Sequence, residues 1–125
     1  MKILLVDDSK SARASLRKPL EDAGVVVLEA SSGDEGLNVI RAQTERLDLI
    51  ITDHNMPGMT GLEMITALRA DVKGINHTTT VFFLTSDLSV MVKEQAVALN
   101  VKALILKPVR PAALVEAVKK VLGLK

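Results

Sequence analysis

Short runs of consecutive apolar and β-branched residues recur along the chain, at Lys2 to Val6, Val25 to Leu28, Leu47 to Thr52, Thr80 to Thr85 and Val101 to Leu106. Several are apolar at neighbouring positions instead of alternating, the pattern of strands covered by helices on both faces. Five parallel strands are therefore predicted. Between them the spacing turns helical. Ala12, Leu16, Leu20 and Ala23 form one stripe, Leu62, Ile65, Leu68 and Val72 a second, and Leu114, Val118, Val121 and Leu122 a third, behind Pro111 in the first turn. Ser32-Gly33-Asp34-Glu35 and Thr60-Gly61-Leu62-Glu63 both fit the capping box, in which a hydroxyl and a carboxylate three residues on satisfy the first free amides. Ser86, Asp87 or Ser89 is expected to cap the fourth helix, with Val90, Ala96 and Val97 inward. Pro19 conflicts with the first stripe, because inside a helix it removes one amide bond and clashes with the preceding turn; a kink or an early end is expected there.

A strand-helix unit repeated five times forces right-handed crossovers, a parallel sheet and helices on both faces. Such a sheet carries its site at the carboxyl ends of the strands. With 125 residues, no linker-like stretch and no internal repeat, the chain reads as one domain. It has no cysteine, which excludes disulfides, thiolate-zinc sites and a cysteine nucleophile. Its apolar runs are too short to span a bilayer and it opens on no signal-peptide pattern, so a soluble cytoplasmic protein is expected. A formal charge of +1 speaks against a broad nucleic-acid surface. That balance hides a split: residues 1–62 hold 7 Lys/Arg and 10 Asp/Glu, whereas residues 63–125 hold 9 and 5.

The early acids fall at strand ends. The first run stops at Asp7-Asp8, the third at Asp53-His54-Asn55, the fourth at Thr85-Ser86 and the fifth at Lys107-Pro108. Carboxylates gathered on one rim repel at about 4 kcal/mol per pair, for a separation of about 4 Å and an effective dielectric of roughly 20. A hard divalent cation with oxygen ligands offsets this, and the small ligand count suits magnesium. Lys107 adds a movable positive charge and Thr85 a neutral donor. Carboxylate nucleophile, metal, ammonium and hydroxyl are the parts that move a phosphoryl group onto an aspartate. Singly, each residue has a plainer role as turn former, cap or solvated charge. The four strand ends together are what those plainer roles do not explain.

Leu5-Val6-Asp7-Asp8-Ser9, Ile51-Thr52-Asp53-His54-Asn55-Met56-Pro57-Gly58-Met59-Thr60-Gly61, Leu84-Thr85-Ser86 and Leu106-Lys107-Pro108 make the whole chain resemble the receiver domains of two-component response regulators, of the CheY-like type. The resemblance implies a doubly wound flavodoxin-like α/β sandwich with strand order 2-1-3-4-5, an order for which CheY is the standing example. It implies Asp53 as phosphoacceptor from a histidine kinase or phosphotransfer partner, with Mg2+ held by Asp8 and Asp53 directly, by Asp7 through water and by the Asn55 carbonyl. Lys107 and Thr85 would bind phosphoryl oxygens, Pro108 would follow a cis bond, and Asn55 and Asp87 would tune hydrolysis. The switch would be read by a downstream target at the fourth helix, fifth strand and fifth helix, where Lys93, Lys102, Arg110, Lys119 and Lys120 outnumber Glu94 and Glu116. No enzyme activity beyond the domain's own phosphorylation and dephosphorylation is implied.

The chain departs from the family at Leu104, where many receivers carry an aromatic residue coupled to the threonine. Switching would then rest on the loop, on Leu104 packing or on a phosphorylation-dependent dimer in place of a monomer. His54 and His77 are expected to be surface residues, and Met56, Met59 and Met64 to fill gaps around the acceptor loop. An aspartate-nucleophile phosphatase of the haloacid-dehalogenase type would want Asp-x-Asp where this chain has adjacent Asp7-Asp8. A flavin or nucleotide carrier would want a Gly- or Ser/Thr-rich phosphate loop. An inert docking receiver would lack an acid, the threonine or the lysine, and none is missing. The receiver uses nearly all of residues 1–125, which is read as a stand-alone domain or one trimmed from a longer regulator with an output domain.

Overall fold

The structure is a computed structural model and describes residues 1–124. Strands β1 (Lys2–Val6), β2 (Val26–Ala30), β3 (Leu49–Asp53), β4 (Val81–Thr85) and β5 (Ala103–Leu106) alternate with helices α1 (Lys10–Asp22), α2 (Gly33–Arg41), α3 (Gly61–Ala70), α4 (Val90–Ala98) and α5 (Pro111–Leu122). The strands form one sheet in the order β2-β1-β3-β4-β5, every neighbouring pair parallel. This is the doubly wound, flavodoxin-like arrangement, and the expected topology holds.

Continuous apolar runs become two cores because side chains alternate across a strand. Leu4, Val6, Ile50 and Phe83 face α2 and α3, meeting Leu37, Ile40, Met64 and Ile65. Ile3, Leu5, Ile51 and Phe82 face the other way, toward Leu16 and Leu20 of α1 and Leu114 and Val118 of α5.

Four helices start at a hydroxyl cap: Ser9, Ser32, Thr60 and Ser89 each accept from a backbone amide three residues on. Thr60 and Glu63 complete the expected capping box. The box at Ser32 is only half made, because the Glu35 carboxylate accepts from the Ser31 hydroxyl instead. The early end expected at Pro19 is not seen: α1 runs on to Asp22, with the Ala23 amide donating to the Pro19 carbonyl. Buried Leu20, one turn after Leu16, holds the last turn against the core.

Two stripes need correction. Val72 lies beyond the end of α3 and is exposed. In α4 the buried pair is Val92 and Ala96, while Val90 and Val97 face solvent. The apolar side chains of that helix are spread around it, so periodicity did not point to one face.

Candidate functional site

Asp7, just beyond β1, and Asp53, the last residue of β3, are buried with 3% and 1% of their surface exposed, while Asp8 is exposed. One carboxylate oxygen from each of the three lies within 4.8 Å of the others. The backbone sets this up. The Asp7 amide donates to the Ala30 carbonyl at 3.1 Å, extending the β1–β2 ladder past Val6. Its carboxylate then accepts from the Ser9 amide at 2.8 Å, at the start of α1. Burial pushes the Asp7 carboxyl above its ordinary value, aided by Asp53 and Asp8 and opposed by the Ser9 amide and Lys107.

Lys107 reaches the same cluster from the end of β5, its Nζ 2.6 Å from Asp53 Oδ1. Its amide donates to the Thr85 carbonyl, which ties the lysine to the end of β4. The Lys107–Pro108 peptide bond is cis, as the resemblance implied. Thr85 is fully buried; its hydroxyl accepts from the Asp87 amide at 2.9 Å and donates to the Asp87 carbonyl at 3.2 Å. Asn55 is exposed, its amide donating to Asp53 Oδ1 and its side-chain Nδ2 to the Ser86 hydroxyl. Leu104 is half-buried beside Phe83 in the sheet. Asp7, Asp8, Asp53, Asn55, Lys107 and Pro108 line one cleft of about 290 Å³. Thr85 and Asp87 stand apart from that cleft in this arrangement of the β4–α4 loop.

Gly61 permits the close approach on the other side of Asp53. A Cβ there would stand 2.4 Å from the Asp53 carbonyl oxygen, and the Gly61 amide donates to the His54 carbonyl at 3.0 Å.

The expectation of a freely exposed His54 needs correction. The residue is half-buried, its ring centroid 5.6 Å from that of Phe83 and its Nδ1 out of contact with water. The pleat turns it away from the acids as expected, but into the cleft between α3 and α4, alongside Met59 and Glu63. His77 is likewise half-buried, with its carbonyl accepting from Arg69. Met56 and Met64 are buried fillers, as their placement suggested.

A family model described as the response regulator receiver domain matches residues 3–119. The chain belongs to that family. As a receiver domain it is similar to the chemotaxis protein CheY of Pseudomonas aeruginosa, 32% identical over 97% of this chain and 95% of that protein. A CheY homolog of Campylobacter jejuni is 34% identical over 98% of this chain and 93% of its own length. Among solved structures, Vibrio cholerae CheY4 superposes with a TM-score of 0.85 at 34% identity, covering 96% of this chain and 97% of the other. Receiver domains are signalling modules of two-component systems rather than conventional enzymes, their acidic triad binds a divalent metal, and their implied partner is a histidine kinase. Among the described residues no helix is long and apolar enough to cross a membrane.

Arg13 and Glu29 were not singled out in the sequence. The Arg13 guanidinium donates to the Asp7 carbonyl and to the Glu29 carboxylate. Nothing in the local pattern joins α1 to β2 across this span, so only the packed structure reveals it.

Proposed function

We infer that residues 1–125 act as one Mg2+-dependent phosphoacceptor switch, in which Asp53 receives a phosphoryl group from a histidine kinase and a downstream protein reads the result. The observation that carries this is the Asp53 carboxylate, 1% exposed, with Lys107 Nζ at 2.6 Å and the Asp7 and Asp8 carboxylates within reach of one ion. Three crowded carboxylates facing one ammonium leave negative charge unbalanced, and an oxygen-ligated divalent ion fits that donor set. Asp8, Asp53 and the Asn55 carbonyl directly, with Asp7 through water, would hold Mg2+, which would supply charge neutralisation for the transferring group.

The protein's own residues do the rest. An Asp53 oxygen forms the new bond to phosphorus as the bond to the kinase imidazole breaks, and the imidazole leaves with its electron pair. Lys107 transfers its contact from the carboxylate to a phosphoryl oxygen. The Thr85 hydroxyl exchanges the Asp87 carbonyl for another phosphoryl oxygen, drawing the β4–α4 loop inward. Asn55 and Asp87 tune the lifetime of the acyl phosphate. Leu104, three residues before the lysine and beside Phe83, and Pro108, directly after it, transmit the shift by packing, without an aromatic rotamer. The output face carries exposed Lys93, Lys102, Arg110 and Lys120 beside exposed Val90, Val97 and Leu106.

Incubation with acetyl phosphate and MgCl2, followed by intact-mass measurement, should add one phosphoryl group to the wild type and none to Asp53→Asn. A chelator should abolish the labelling. Equal labelling of both proteins, or none on folded wild type, overturns the reading; sustained phosphomonoester turnover would replace it with a phosphatase. Light scattering with and without beryllofluoride distinguishes a monomeric switch from a phosphorylation-driven dimer.

A further inference from the structure

Resting on the reading of Asp7 and Asp8 as the metal-binding pair, we propose that Arg13 is a positioning residue for them, with Glu29 as the anchor that holds it. The planar guanidinium spans two elements. Its Nε donates to Glu29 Oε1 at 2.9 Å on β2, and its Nη1 donates to the main-chain carbonyl of Asp7. The Arg13 side chain is 13% exposed and that of Glu29 27%, so the contact is shielded over most of its surface. Arg17 Nη1 engages the other Glu29 oxygen, which leaves the carboxylate little freedom to turn.

Asp7 is thereby held at three points. Its amide is bound to Ala30, the neighbour of Glu29 on the same strand; its carbonyl is bound to Arg13; its carboxylate is bound to the Ser9 amide. With these fixed, the direction of the Asp7 side chain and the start of the Asp8 segment are set before any ion arrives. Pre-set ligands bind more tightly because less ordering is left to do on binding. Groups that orient metal ligands are worth about 10- to 100-fold in metal affinity.

The sign of the effect separates this role from plain electrostatics. Arg13 is a cation beside a cation site, so Coulomb repulsion alone predicts tighter Mg2+ binding when it is neutralised. The clamp predicts the reverse. In Arg13→Met the Kd for Mg2+, measured calorimetrically, should rise about tenfold. Phosphorylation by acetyl phosphate at saturating Mg2+ should stay within about twofold of wild type, because the ion restores the ligand geometry once bound. Lys18→Met, which removes an exposed charge from the same helix, should leave the Kd unchanged. In Mg2+-free protein the Ser9 amide resonance, which reports the Asp7 carboxylate, should move in Arg13→Met and stay in Lys18→Met.

Arg13→Lys keeps the charge but loses the planar fork, so it should weaken Mg2+ binding as well; it also serves if Arg13→Met does not fold. Glu29→Gln should reproduce the weaker binding, and the double variant should be no worse than the more affected single one. A Kd unchanged or lowered in folded Arg13→Met, or in Arg13→Lys should Arg13→Met not fold, overturns the proposal. If the wild type itself binds no Mg2+, the metal reading fails and the clamp falls with it; a binding wild type with unaffected variants rejects the clamp alone.

Discussion

Burial alone would raise the Glu29 carboxyl, but hydrogen bonds from Arg17 and Arg13 outweigh it and hold the group below its ordinary value of 4.5. A carboxyl lowered by folding stabilises the protein fully above its unfolded pKa, and that contribution disappears as pH falls through the lower folded value. In Mg2+-free buffer, urea denaturation should therefore place Glu29→Gln about 0.5 to 1 kcal/mol below wild type at pH 7, the ordinary worth of a partly exposed pair. The gap should close well below pH 4.5, the unperturbed value. A difference that persists undiminished at low pH would show that the charge is not its source. At this scale the candidate site was legible because Asp7, Asp53, Thr85 and Lys107 each stand at the end of an apolar, β-branched run. Arg13 and Glu29 were not, since a charged residue on a helix and another in a strand carry no mark of mutual contact.

At the level of elements, the approach of α3 to the end of β3 is where a single atom decides most. A Cβ at residue 61 would overlap backbone oxygen, which cannot swing aside as a side chain can. Gly61→Ala should cost about 1 to 3 kcal/mol, the range for forcing extra volume into a packed site, and should slow labelling of Asp53 because its carbonyl must shift. Unchanged stability and labelling rate would remove this reading of the contact. Pro19 gives the opposite expectation. Since α1 continues through it, the helix carries the cost of a missing amide, so Pro19→Ala should raise stability by up to about 3 kcal/mol in urea denaturation. Element order and starts were legible from runs and caps. The facing of α4 was not, because its apolar residues do not share one side and only the packed structure shows that Val92 and Ala96 are the buried pair.

Across the whole molecule, stability is tied to the charge at the rim. Asp7 is raised mainly by burial, so ionising it above its folded pKa works against the native state. A ligand that binds only the folded protein reverses this by mass action, contributing about 1.4 kcal/mol at ten times its Kd. Thermal unfolding at neutral pH should accordingly shift upward with MgCl2 in the wild type and much less in Asp8→Asn. An equal shift in both would place the stabilisation away from the acidic triad. The same rim contributes to the uneven charge along the sequence, since Asp7, Asp8 and Asp53 are three of the ten acids in residues 1–62, while later lysines lie in α4 and α5 and on either side of β5.

The residues alone determined the alternation of strands and helices, the two-sided burial of the sheet and the kinds of group at each strand end. Those follow from local rules: side-chain alternation, helical period and the requirement that first-turn amides find acceptors. Packing decided what local rules do not reach. It set which face of α4 is buried, turned His54 onto Phe83, drew three carboxylates to within 4.8 Å and placed Arg13 between Glu29 and the Asp7 carbonyl. Each of these depends on distances between segments far apart in the chain, and such distances exist only once the sheet has brought the strand ends together.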